Sequence, residues 1–179
     1  MKVIFLDIEG VLNTVDTIKN NTIMYRKTGI HYENIDEERV KYLKEIVEKT
    51  GASIVLSSSG WKIDFTKKDG MIIPIDDSGK YLLQMFRKYN ITLLDITGNH
   101  LAKHELEIKD WLEEHREVDN YLILDDECFH LPETMRKHYI QTTLNYEKDN
   151  GLLESHIEKA IDILNKPLKE KIFQIKRNN

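Results

Sequence analysis

Two acidic side chains stand at the end of the first apolar run of the chain. Asp7 and Glu9 lie one and three residues past the end of the run Val3–Leu6, and Glu9 comes directly before Gly10. Residues two apart on an extended strand share a face, so the two like charges would face each other unless a cation or a phosphorylated group lay between them. This pattern predicts a metal-assisted phosphoryl-transfer site. The alternative interpretation is a strand that runs into a polar turn.

Each polar residue at such a site has a definite chemical task. The carboxylate of Asp7 can attack phosphorus to give an aspartyl phosphate, and Glu9 can protonate the leaving oxygen and then activate water. A hydroxyl such as that of Ser57 can donate a hydrogen bond to a phosphate oxygen. Asp125 and Asp126, with Asp7 and the backbone carbonyl of Glu9, offer the oxygen ligands that Mg²⁺ prefers. The predicted cofactor is therefore Mg²⁺.

The elements that must position these residues are an alternation of strands and helices. Predicted strands are Lys2–Ile8, Ser53–Ser57, Thr92–Ile96, Tyr121–Leu124 and Tyr139–Thr142. Predicted helices run from Asp36 to Gly51, Lys80 to Tyr89, His104 to His115 and Leu153 to Leu164, and residues 61–78 receive no element. Strands and helices in such succession predict an α/β fold, a parallel sheet with helices on both faces, whose ligands gather at the carboxyl ends of the strands.

Four short motifs give the chain a family resemblance. DIEGV, LSSSGW, a later basic residue and LILDDE follow one another in this order. The chain thereby resembles the haloacid dehalogenase (HAD) superfamily, and most of all the HAD-like domain of Swiss Army Knife RNA repair proteins, over residues 1–165. The resemblance implies a Rossmannoid, HAD-like fold with a minimal cap and Mg²⁺-dependent phosphatase chemistry. It implies that Asp7 is the nucleophile, that Ser57 belongs to the second motif, and that Asp125 and Asp126 form the metal motif.

The chain departs from the family pattern at two positions. Glu9 stands where phosphatases of this superfamily usually carry Asp, and the extra methylene moves the carboxyl group by about 1.5 Å. Because a misplacement on the order of 1 Å can cost about a hundredfold in rate, hydrolysis of the intermediate is in question. His104 stands where an arginine is common, so Lys103 is the candidate basic residue, with Lys109 behind it. The alternative is that either lysine is simply solvated.

The segment after the nucleophile is the candidate for substrate selection. Residues 13–35 contain Arg26 and Lys27, and specificity in a fold of fixed chemistry usually lies on loops. The resemblance places a small cap or flap here. The segment is too short for a large cap, which implies an open site that admits a bulky substrate such as a polynucleotide end or a phosphoprotein. Arg26, Lys27 and Ser58 are the predicted substrate-binding residues. The alternative is an ordinary loop.

Composition limits the class of protein. The 179 residues are 40% hydrophobic and suit one domain, predicted as 1–165, followed by a tail at 166–179 with five basic residues and one acidic. The formal net charge of −5 argues against general electrostatic binding of nucleic acid, and the tail is more typical of a solvated end than of a contact with RNA, DNA or a partner. Cys128 is the only cysteine, and no run has the length of a membrane span, which favours a cytoplasmic protein.

Two functions remain in view. The first is an Mg²⁺-dependent phosphohydrolase that acts through an aspartyl phosphate on a phosphorylated small molecule or a nucleic-acid end, with no membrane partner. The second is a HAD-like binding or regulatory module with little or no turnover, of which Glu9 would be the sign. His100 and His104 have the spacing of a zinc pair, but no convincing third ligand accompanies them. Trp61 is expected in the core rather than against a base, and the sequence does not indicate an oligomeric state.

Overall fold

The fold is built on five parallel strands. The computed structural model describes residues 1–20, 35–98, 103–127, 131–144 and 150–166. Its main sheet contains β1 (Lys2–Leu6), β2 (Ser53–Leu56), β5 (Leu93–Ile96), β6 (Asn120–Asp125) and β7 (Tyr139–Gln141). The strands have the order β5-β2-β1-β6-β7, and every neighbouring pair is parallel. The two strands that lead into Asp7 and Asp125 therefore lie side by side in the middle of the sheet.

Helices connect the strands. They are α1 (Glu37–Thr50), α2 (Asp77–Lys88), α3 (His104–Glu114), α4 (Glu133–Arg136) and α5 (Glu154–Asn165), and residues 15–20 are also helical. The side chain of Asp36 accepts a hydrogen bond from Glu38 N at 2.9 Å and caps α1, as its position before the apolar repeat predicts. Gly51 ends the same helix in the left-handed region, at a φ of +69°.

Alternate residues of the central strands enter two apolar layers. Ile4 and Leu6 of β1 belong to a core with buried residues of α1, α2 and α5. Val3 and Phe5 face the opposite layer, where the ring of Trp111 on α3 meets Phe5 edge to face at a centroid distance of 5.4 Å. Apolar side chains on both faces are what a sheet covered by helices on both sides requires. The predicted fold class is confirmed.

The region without a predicted element contains a short hairpin. A 3₁₀ turn at Lys62–Asp64 leads into β3 (Phe65–Lys68), which pairs antiparallel with β4 (Met71–Pro74). Asp69 and Gly70 form its turn with φ values of +51° and +76°, the left-handed pair that two-residue hairpin loops favour. The polar sequence of β3 carries no apolar alternation, so the pattern does not reveal it.

Several predicted features fall at the limits of the described residues. Arg26 and Lys27, and most of the predicted cap, lie outside them, as do Cys128 and nearly all of the basic tail. α2 begins at Asp77 rather than at Lys80, because Asp76 caps it by accepting a hydrogen bond from Gly79 N at 2.9 Å. No helix in the described part of the chain is long and apolar enough to cross a membrane.

Candidate active site

Three aspartates meet at the carboxyl edge of the two central strands. The register pairs Leu6 with Leu124, so Asp7, the next residue after β1, lies beside Asp125, the last residue of β6. Asp7 N donates to Leu124 O at 3.0 Å, which ties the two strand ends together. Ligand oxygens of Asp7, Asp125 and Asp126 lie within 4.8 Å of one another, and we call these three residues the acidic cluster.

The acidic cluster is electrostatically costly without a cation. Asp7 is only 4% exposed, and its burial, followed by the charges of Asp125 and Glu9, raises its pKa well above the ordinary value. Burial and then the charge of Asp125 raise the pKa of Asp126 to about 6. Three oxygen donors at this spacing suit a hard divalent cation such as Mg²⁺, which would remove the repulsion.

The turn after Asp7 leaves room for the third aspartate. Gly10 has a φ of +66°, and a Cβ added there would lie 2.4 Å from Cγ of Asp126. Thr142 Oγ1 donates to the carbonyl of Gly10 at 2.6 Å and holds the turn from the β7 side. The glycine in the DIEGV motif is therefore required both for its backbone conformation and for the close approach of Asp126.

Glu9 lies beside the acidic cluster and contacts the turn that follows β2. Its Oε2 accepts a hydrogen bond from Ser58 Oγ at 2.5 Å. Its Oε1 approaches Gly60 so closely that a Cβ there would be 2.8 Å away. The longer side chain of glutamate thus fits a space bounded by a serine hydroxyl and a glycine.

Ser57 presents a buried hydroxyl without a partner. The residue follows β2, and its backbone N donates to Leu6 O at 2.9 Å, which places it next to the strand end that carries Asp7. Its Oγ is fully buried and has no hydrogen-bond partner among the described residues. Because an unsatisfied buried hydroxyl costs about 1–3 kcal/mol, the position favours a ligand oxygen that accepts from it.

His104 joins the β2 turn to the acidic cluster, a role that the sequence did not reveal. Its Nδ1 lies 3.1 Å from Asp125 Oδ2, and its Nε2 lies 2.6 Å from Ser59 Oγ. Burial lowers the pKa of His104, but the hydrogen bond and the charge of Asp125 outweigh it, and the net shift is upward. His100, its partner in the zinc spacing, lies outside the described residues.

A buried ion pair fixes α3 against the same turn. Lys62 Nζ lies 2.5 Å from Glu107 Oε2 and also donates to Gly98 O at 2.9 Å. Thr97 Oγ1 donates to the same carboxylate oxygen at 3.1 Å. Lys62 and Glu107 are 45 residues apart, so no local sequence signal predicts this contact.

The two lysines proposed from sequence lie on the surface. Lys103 is exposed at the residue before α3, and the part of the chain that the structure describes shows no hydrogen bond from it to the acidic cluster. Lys109 is half-exposed, and its Nζ lies 3.8 Å from Oε1 of Glu113, one turn further along the helix. Trp61 is buried in the core, as predicted.

Comparison with known proteins gives one finding. The family model described as the HAD domain in Swiss Army Knife RNA repair proteins matches residues 3–157. Neither the curated proteins nor the solved structures gave a match. The matched region contains every member of the acidic cluster together with Glu9, Ser57 and His104.

Proposed function

Because the chain belongs to the family of HAD domains in Swiss Army Knife RNA repair proteins, we propose that it is a phosphohydrolase that removes a phosphate from a nucleic-acid end. Asp7 is the nucleophile in this proposal. The observation that carries it is the cluster that Asp7 forms with two other carboxylates, next to the strand end that carries the unpartnered hydroxyl of Ser57. A phosphate held there would reach the nucleophile, a hydroxyl donor and a cation site together.

In the first chemical step, an oxygen of Asp7 forms a bond to phosphorus. The bond between phosphorus and the leaving oxygen breaks, and that oxygen keeps the electron pair and takes a proton from Glu9. Ser57 donates its hydroxyl hydrogen to a non-bridging phosphate oxygen. The products of this step are the free hydroxyl end of the substrate and an aspartyl phosphate on Asp7.

In the second step, water attacks the phosphorus of the aspartyl phosphate while Glu9 accepts its proton. The bond between phosphorus and Asp7 breaks, which releases inorganic phosphate and restores both carboxyl groups. Mg²⁺ held by the acidic cluster would supply positive charge that offsets repulsion between Asp7 and the phosphate. Ser58, which contacts Glu9 through its hydroxyl, keeps the acid–base group near the leaving oxygen.

Cationic side chains complete the proposal. Lys103 contributes positive charge near the transferred phosphate, from its place one residue before His104 at the start of α3. Arg26 and Lys27 contact the substrate beyond that phosphate. The sequence supports these roles by residue type and by position after the nucleophile or within the basic motif.

One observation favours a second candidate function. The hydrogen bond from Ser58 holds Glu9 on the β2 turn, and the carboxylate is not a member of the acidic cluster. A glutamate held there, away from the line on which water attacks the phosphorus, would leave a domain that binds a phosphorylated end but turns it over slowly. Turnover, rather than binding, separates the two functions.

The test measures hydrolysis of p-nitrophenyl phosphate and of a phosphorylated oligonucleotide. We expect wild type to hydrolyse both with Mg²⁺ and to lose activity with EDTA, and Asp7→Asn to abolish it. Asp162→Asn, at an exposed aspartate on α5, is the matched control and should behave as wild type. Binding of the oligonucleotide without turnover would favour the second function, and activity that survives Asp7→Asn would refute the assigned nucleophile.

A further inference from the structure

A cavity lies beside the candidate active site, on the side of the hairpin. Its volume is about 330 Å³. The lining residues come from the 3₁₀ turn, from β3 and from the end of β5: Lys62, Ile63, Lys67, Ile96, Thr97 and Gly98. The size is at the lower end of the range for small-molecule sites and suits a group as large as one nucleoside.

The cavity lies on the same edge of the sheet as the acidic cluster. β5 neighbours β2, and β2 neighbours β1, so the end of β5 is two strands from Asp7. Two strand spacings amount to about 10 Å. The turn that carries Ser57 lies between them, and Lys62 N donates to Ser58 O at 3.0 Å at the base of that turn. A substrate whose phosphate contacts Ser57 can extend into the cavity.

The cavity combines apolar walls with two lysine side chains, each of them paired with a carboxylate. Ile63 is 63% exposed, which is unusual for a large apolar side chain, and it lines the cavity together with Ile96. Lys62 is neutralised on the inner side by Glu107. Lys67 is 48% exposed and is held in place by Asp95, whose carboxylate oxygen lies 2.6 Å from its ammonium. The N–H groups of Lys67 that do not contact Asp95 can donate to an anion at the opening of the cavity.

We propose that this cavity binds the nucleoside adjacent to the phosphate that is removed. The base packs between Ile63 and Ile96, and Lys67 contacts the next phosphodiester along the strand. Apolar walls for a ring and a cation for a backbone phosphate are the two elements of single-strand recognition. This inference rests on the proposed function, since it identifies the part of the substrate next to the site of hydrolysis.

Strand geometry provides a matched pair of variants. Lys67 and Lys68 are consecutive on β3, so their side chains point to opposite faces, and only Lys67 lines the cavity. Lys67→Ala and Lys68→Ala remove the same charge from the same strand. Ile63→Ser adds a test of the apolar wall at a position that is 63% exposed, where we expect little effect on folding.

The experiment compares kcat/KM for a phosphorylated trinucleotide with kcat/KM for phenyl phosphate. We expect Lys67→Ala to lower the ratio of the two about tenfold, the size expected for one charge-assisted hydrogen bond. Ile63→Ser should lower the same ratio, and Lys68→Ala should leave it as in wild type. Thermal melting of each variant checks that loss of the ion pair with Asp95 has not unfolded the protein.

The outcomes separate the subsite from the function. If wild type hydrolyses phenyl phosphate but the Lys67 and Ile63 variants keep the wild-type ratio, the subsite is refuted and the phosphohydrolase stands. If wild type hydrolyses neither compound, the proposed function itself fails. If the Lys67 and Ile63 variants lowered kcat/KM for a phosphoserine peptide as much as they lower it for the trinucleotide, the assignment of the cavity to a nucleoside would be overturned.

Discussion

Replacement of Gly60 by alanine tests whether Glu9 is the acid–base group in the position that the structure gives it. The three closest atoms to a Cβ at this position all belong to Glu9, with Oε1 nearest at 2.8 Å. Ordinary van der Waals contact begins at 3.4 Å, so the glutamate carboxylate would have to move by about 0.6 Å or leave Ser58. Because a displacement on the order of 1 Å costs about a hundredfold, we expect Gly60→Ala to lower kcat about tenfold, or about 1.4 kcal/mol.

The control for this prediction is the shorter acid. Glu9→Asp withdraws the carboxyl group by about 1.5 Å from Gly60 and removes the contact that the added methyl would make. We expect Glu9→Asp alone to be slower than wild type, because it also loses the hydrogen bond from Ser58. In that background Gly60→Ala should cost little, so the double-mutant cycle should show a coupling energy of about 1 kcal/mol.

The assay is the turnover of p-nitrophenyl phosphate at saturating Mg²⁺, with thermal melts to confirm that all four proteins are folded. An equal loss from Gly60→Ala in both backgrounds would show that the methyl disturbs the turn rather than Glu9. A Glu9→Asp variant faster than wild type would show that the glutamate impairs hydrolysis and would favour the binding module.

Three further measurements test the metal site, the acid response and the substrate loop. Mg²⁺ should raise the melting temperature relative to EDTA, because binding at a hundredfold excess over Kd stabilises the folded protein by about 2.7 kcal/mol. Asp126→Asn should shrink the difference, and identical melts would count against the site. Burial lowers the pKa of His138 to about 4, so its contribution to stability is complete above pH 6.5 and is lost as the pH falls towards 4. With allowance for solvent screening, the loss of stability amounts to about 2 kcal/mol. In urea denaturation, His138→Asn should reduce the difference in unfolding free energy between pH 7 and pH 5. Arg26→Ala combined with Lys27→Ala should lower kcat/KM for a phosphorylated oligonucleotide relative to an aryl phosphate, and equal losses on both would assign these residues to general electrostatics or folding.

The central part of the fold was predictable because strand ends and chemistry coincide in the sequence. Apolar runs that close on Asp7 and Asp125 indicate both the strands and the edge at which they end. Parallel pairing in register then brings the two carboxylates together without any further information. Ser57 is predictable in the same way, since it follows the apolar run of β2 directly.

The contacts around this centre depend on distant parts of the chain. His104 meets Ser59 across 45 residues, and neither residue type nor periodicity shows which surface of α3 faces the β2 turn. Lys62 reads as an ordinary surface lysine until Glu107 is seen beside it. The motif that contains Lys103 does not encode its exposure at the start of α3, because that exposure depends on the orientation of the helix.

The hairpin formed by β3 and β4 has its two ends next to each other. Ile75 N donates to Asp64 O at 2.8 Å, so the chain leaves and rejoins the domain at nearly the same point. Loop-closure entropy rises only slowly with length, and a segment closed at its base can therefore be lengthened, shortened or exchanged at small cost to the rest of the fold. Lys67 lies on this segment and the acidic cluster does not. Replacement of the hairpin alone can therefore change substrate preference without changing the residues of the acidic cluster.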